Sequence, residues 1–206
     1  AYGRAGRNRE AMADFTKAID LNNRFYQAYA NRALIHRAMG NPVEAVQDYS
    51  RALKINPQYD VAYIGRGNVY RLAGKDNEAL RDYQRAIQLG STNPRAYYSR
   101  GLILQNRGDH KRAIEDFTTA ISLEPTAAEP YNSRGVSYLA INDAYNALED
   151  ANRALRIDER YSEAWVTQAL ALEQQGKRAK ANKAFRRAVQ LDGDSQAARE
   201  GVNRTS

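Results

Sequence analysis

Four arginines and four aspartates recur along this chain at one spacing: Arg32, Arg66, Arg100 and Arg134, and Asp48, Asp82, Asp116 and Asp150. A guanidinium row of that kind could read phosphates, or each planar fork could satisfy both oxygens of one carboxylate. Each arginine has an acid sixteen residues on, and where the arginine gives way to Gln168 the acid gives way to Ala184. The paired change predicts structural ion pairs, Arg32–Asp48, Arg66–Asp82, Arg100–Asp116 and Arg134–Asp150, and argues against a phosphate ladder.

Other candidate chemistry is thin. There is no cysteine, which excludes disulfides, thiol nucleophiles and cysteine metal sites. Imidazole is limited to His36, expected in a core position, and His110, expected solvated in a turn. Glu115-Asp116 and Glu149-Asp150 are sequence neighbours on helices, so their carboxylates point to different faces. Gly65-Arg66-Gly67 resembles a phosphate loop only superficially, because no strand precedes it and both glycines fall inside a helix. No catalytic, cofactor or metal site emerges, and the chain reads as a non-enzyme.

The elements that hold these residues follow from an internal period. The 206 residues align without insertion in rows of 34: a partial row 1–25, full rows 26–59, 60–93, 94–127, 128–161 and 162–195, and a remainder 196–206. Column 20 is alanine in all six rows that reach it (Ala11, Ala45, Ala79, Ala113, Ala147, Ala181), and so is column 27 (Ala18, Ala52, Ala86, Ala120, Ala154, Ala188). Alanines seven apart mark a helix face that a neighbour approaches closely. Column 4 is aromatic, from Tyr29 to Trp165; column 8 is small, from Ala33 to Ala169; column 24 is aromatic except at Ala151. Rings facing small residues describe two interdigitating helices, A and B, in each row. Turn signals such as Gly40-Asn41 and Gly108-Asp109 separate A from B, and Pro57 and Pro125 break the chain after B.

These columns resemble the W-L-G-Y-A-F-A-P pattern of the tetratricopeptide repeat, matching it at columns 4, 8, 20, 24 and 27 over essentially the whole chain. Arginine at column 7, where the family has leucine, departs from it. The resemblance implies an all-α fold, a right-handed superhelical solenoid of antiparallel helix pairs, with residues 196–206 as a C-terminal capping helix and tail. It also implies a concave groove that binds a protein or peptide. The groove columns hold Leu34, Arg37, Ile64, Asn68, Arg71, Arg95, Tyr98, Leu102, Asn132, Val136, Leu139, Val166 and Leu170. The lysines of the family's carboxylate-clamp subgroup are missing here, which argues against a chaperone C-terminus as ligand. Apolar anchors, with Arg37, Arg71 and Arg95 for an acidic side chain, suit an extended or helical peptide.

A formal net charge of +7 makes acidic partners worth considering, and a cationic stripe on the B helices is densest in the last repeat (Lys177, Arg178, Lys180, Lys183, Arg186). With most aromatics assigned to the core, stacking platforms for nucleic acid are scarce, and nucleic acid is not the expected partner. No apolar run is long enough to span a bilayer. Ala1 falls at column 10, inside a helix, so the chain reads as a piece of a longer one. Met12, Phe15 and Ile19 at that end could support self-association through the truncated repeat. The Arg-Gly rows resemble bacterial repeat proteins, some of them periplasmic adaptors. With the lack of cysteine this favours a bacterial envelope location over the cytoplasm. The expected role is an interaction scaffold; the alternatives are a substrate-selecting repeat domain of a larger enzyme and a self-assembling scaffold.

Overall fold

The 34-residue period becomes pairs of helices in a computed structural model that describes residues 2–206, with side chains from residue 7. The A and B helices pair as α2 (Tyr26–Ala38) with α3 (Pro42–Ile55), α4 (Asp60–Leu72) with α5 (Asp76–Gln88), and α6 (Pro94–Asn106) with α7 (His110–Leu123). Then come α8 (Ala128–Ala140) with α9 (Ala144–Ile157) and α10 (Ser162–Gln174) with α11 (Arg178–Leu191). Helix α1 (Tyr2–Leu21) precedes them and α12 (Gln196–Thr205) follows. The described residues contain no strand.

Each A helix stops where the backbone must turn left-handed. Gly40, Gly74, Gly108 and Gly176 have φ between 70° and 81°, and Asn142 takes the same place at 61°. Glycine adopts this conformation at no steric cost and asparagine tolerates it. A further left-handed glycine, Gly90 at 79°, ends α5.

Two compact units divide the chain, residues 1–100 and 101–206. In the first, α2 packs on α1 and α3, and α3 on α4; in the second, α8 packs on α7 and α9, and α10 on α9 and α11. The alanine columns are the seams of these contacts. Ala45, Ala52, Ala79 and Ala86 in the first unit are fully buried, as are Ala113, Ala120, Ala147, Ala154, Ala181 and Ala188 in the second. Aromatic rings fill the space between seams, with Tyr83, Phe117 and Phe185 fully buried. Near the start, Ile19 is buried and Phe15 packs on the same core, while Leu21 is 81% accessible and Phe25 is exposed.

Candidate functional site

Column 7 of the A helices α2, α4, α6 and α8 is where charge meets the interior. In the first unit Arg32 donates to Asp48 through Nε (2.7 Å) and a terminal nitrogen (2.8 Å), and Arg66 grips Asp82 the same way at 2.8 Å on both bonds. In the second, Arg134 grips Asp150 with both bonds at 2.8 Å. Asp48, Asp82, Asp116 and Asp150 are all buried. The hydrogen bond to the carboxylate raises the Arg32 and Arg66 guanidinium groups above their ordinary range, against the opposing effect of burial. Arg66 also lies over Tyr63 and Tyr70, and Arg134 over Tyr131 and Tyr138, with 5.8–6.0 Å to the ring centroids.

A third bond from these arginines was not legible in the spacing of the pairs. Arg32 donates to Thr16, Arg66 to Ser50, Arg100 to Gln84 and Arg134 to Thr118, each sixteen residues back on the preceding B helix. Each fork therefore ties its own repeat to the one before it. Gln168 keeps that link, donating to Asn152 at 2.7 Å, although its acid is gone. The signal was present at column 25, which is polar and uncharged at Thr16, Ser50, Gln84, Thr118 and Asn152 and turns to Arg186 only in the last full row.

The expected groove residues divide by exposure. In the first unit Leu34 is 46% accessible, Arg95 is exposed, and Arg37, Asn68, Arg71 and Tyr98 are half-buried. In the second, Val136 is exposed, while Leu102, Leu139, Val166 and Leu170 are half-buried. Two of the expected anchors require correction. Ile64 and Asn132 are only 4% and 7% accessible, so neither has a side chain free to anchor a ligand. The Asn132 carbonyl oxygen accepts from Thr167 at 2.7 Å. Asn68 is likewise committed inside the protein, accepting from Tyr83 (2.7 Å) and from Ser99 (3.3 Å).

Arg71 closes this polar cluster. Burial raises the Tyr83 phenol above its ordinary value, while Ser99 and Arg71 pull the other way. Arg71 Nε is buried without a hydrogen bond. Its neighbour on the surface, Leu72, is 66% accessible, and Val61 on the same helix is 46% accessible.

The histidines form no acid–base arrangement. His36 Nε2 stands 3.8 Å from Asp48, whose carboxylate Arg32 already holds. His110 departs from the solvated turn expected of it: it opens α7 and is half-buried. Among the described residues no group of His, Asp or Glu could hold a metal ion, and no helix is long and apolar enough to cross a membrane.

Models of the TPR repeat match residues 67–108, those of the tetratricopeptide repeat match 26–59, 94–127 and 162–195, and together they span well over half of the chain. No curated protein matches the sequence. Among solved structures the chain is similar to YrrB, described as a TPR protein with an unusual peptide-binding site. The two share 23% identity at TM-score 0.81, covering 92% of this chain and 97% of YrrB. It is similar to PilF of Pseudomonas aeruginosa, with 18% identity at TM-score 0.74, covering 87% and 88%. It also resembles the first TPR of Spaghetti (RPAP3) bound to the HSP90 peptide SRMEEVD, with 19% identity at TM-score 0.54, covering 56% and 91%. The repeat columns, the packed helix pairs and these matches place the chain in the tetratricopeptide repeat family.

Proposed function

We propose that this chain is an interaction module, not an enzyme, and that it seats a peptide or an extended segment of a partner protein on the exposed face of its A helices. One observation carries the reading. One face of the A helices keeps apolar side chains in solvent: Leu34, Val61 and Leu72 in the first unit, and Val136 in the second, at columns 2, 9 and 13, which fall on the same side of a helix. Packing within each unit leaves these side chains uncovered, and exposed apolar surface of this kind marks docking sites. Beside them the half-buried Arg71 and the exposed Arg95 offer positive charge to an acidic side chain of the ligand. YrrB and RPAP3 support peptide binding by this fold in general, through the peptide-binding site named for the first and the bound peptide of the second.

The anchors in this reading are Leu34, Arg37, Arg71, Arg95 and Tyr98 of the first unit and Leu102, Val136, Leu139, Val166 and Leu170 of the second. The test is a pull-down from lysate of the source cells, comparing the wild type with a Leu34→Glu/Val136→Glu variant. Both substitutions fall on exposed positions, so the variant should melt like the wild type. A partner lost by the folded variant supports the reading, and a partner retained by both overturns it. A bacterial envelope location belongs to the same proposal, supported by the absence of cysteine. Fractionation of the source cells tests it.

A further inference from the structure

The last full repeat departs from the others where their ion pairs lie. In α4–α5 the space over helix A is filled by Arg66, Asp82, Tyr63 and Tyr70. In α10–α11 the corresponding residues are Gln168, Ala184, Trp165 and Leu172. Where the guanidinium and its carboxylate are absent lies a cleft of about 720 Å³, with Leu148, Trp165, Leu172 and Ala184 as its apolar part. That volume suits one bulky side chain together with a short stretch of backbone.

The charge of the cleft is one-sided. Its lining includes Lys180, Lys183, Arg186 and Arg187 and not one Asp or Glu. The missing acid is the one that column 23 supplies in the four preceding rows. Among the described residues neither Lys180 nor Lys183 has a carboxylate partner, and Arg187 reaches only the Gln190 amide, at 3.3 Å. The Gln168–Asn152 hydrogen bond uses one donor and one acceptor of the two amides, leaving the Gln168 carbonyl oxygen and the Asn152 amide nitrogen. One acceptor beside one donor is the complement of a peptide unit.

We propose that this cleft is a second binding site, for an acidic peptide segment carrying one bulky apolar side chain. The apolar side chain seats against Trp165, Leu148 and Leu172. The acidic residues on either side of it meet Lys180, Lys183 and Arg187, and the peptide backbone engages Gln168 and Asn152. Trp165 and Leu172 are on a different side of α10 from Val166 and Leu170, so the site is separate from the A-helix face proposed above.

Trp165 lines this cleft and is the only tryptophan of the chain, so its emission reports on ligand seated there. The full chain is titrated with fluorescein-labelled heptapeptides that have Leu, Phe, Tyr or Met at the centre and Glu or Asp elsewhere. A matched set with Lys at the charged positions and a single-stranded RNA oligonucleotide serve as comparisons. At least one acidic peptide should change Trp165 emission saturably and raise the anisotropy of its label, more weakly as salt increases. Gln168→Arg/Ala184→Asp, which rebuilds the ion pair inside the cleft, should weaken binding at least tenfold by anisotropy. Lys183→Glu, at an exposed position, should do the same, while Val136→Glu should leave it unchanged. The proposal is overturned if no acidic peptide binds, if the lysine set binds as well, if only the RNA binds, or if the rebuilt pair has no effect. A loss on Val136→Glu alone would overturn it too, by moving the site to the A-helix face.

Discussion

The ring of Tyr49 lies under Gly65 of the next repeat, so close that a Cβ on Gly65 would fall 2.6 Å from the Tyr49 hydroxyl oxygen. Phe185 meets Gly201 in the same way. In the other rows the ring leans back on its own A helix: Tyr83 stands 2.8 Å from the Cβ position of Gly67, and Phe117 2.7 Å from that of Gly101. A rule connects these cases. Where column 8 is alanine (Ala33, Ala169), column 6 of the next row is glycine (Gly65, Gly201); where column 8 is glycine (Gly67, Gly101), column 6 is serine (Ser99, Ser133). Each ring needs one missing Cβ, on one side or the other.

Gly65→Ala should therefore destabilise the protein, although helix propensity alone favours the change by about 1 kcal/mol. Overpacking costs ~1–3 kcal/mol, and the overlap with Tyr49 involves a whole ring in a packed core, so the clash should win. Adding Ala33→Gly opens the other side of the ring. A double-mutant cycle by urea denaturation should give a favourable coupling of about 1 kcal/mol. Additive effects would show that the ring does not move between the two sites.

The row without a ring tests the same rule from the other side. Ala151 leaves space facing Gly135, and the methyl group of Thr167 takes it, 3.1 Å from the Gly135 Cβ position. Ala151→Phe alone should destabilise by about 1–3 kcal/mol through overpacking against Thr167. With Thr167→Ser, which copies Ser99 and Ser133, much of that loss should return. Equal thermal midpoints for the single and double variants would refute the substitution of methyl for ring.

The buried ion pairs predict an asymmetry. Asp82→Ala strands the Arg66 guanidinium between Tyr63 and Tyr70, and breaking such a pair from one side costs ~3–5 kcal/mol. Arg66→Leu/Asp82→Ala should recover most of this, because an apolar side chain tolerates the same space. The double variant still loses the bond from Arg66 to Ser50 at 2.9 Å, so some deficit should remain in the coupling between repeats. Identical denaturation curves for the wild type and both variants would show the pairs to be energetically neutral.

Acid should loosen the last helix before the rest. Arg204 on α12 donates to both oxygens of Glu173 on α10, at 2.7 and 2.8 Å, and this bond holds the Glu173 carboxyl below the usual carboxylate range. A carboxylate with a depressed value stabilises the folded state fully above its unfolded value, and the gain is lost as pH falls through the folded one. Amide exchange in α12 should therefore accelerate, relative to α10 and α11, as pH drops below about 4. Glu173→Gln should remove this pH dependence. Unchanged dependence in that variant would mean the ion pair does not dock α12.

The 34-residue period, the helix pairs, the alanine seams and the Arg–Asp spacing were all legible in the residues. Each depends on which side of a helix a residue occupies, and helical periodicity settles that locally. What periodicity does not contain is how far a side chain leans or who meets its tip. The spacing placed Asn68 and Asn132 on the groove side with Leu34 and Val136, yet both amides turn inward because Tyr83, Ser99 and Thr167 offer them partners. Ile64 holds the same column as Tyr98 but is buried where Tyr98 is only half-buried, a difference that the shared column does not contain. The cleft beside Trp165 was visible only as two substitutions, Gln168 and Ala184. Its volume and its one-sided charge arise when α9, α10 and α11 come together, since a void belongs to the helices around it and to no single residue.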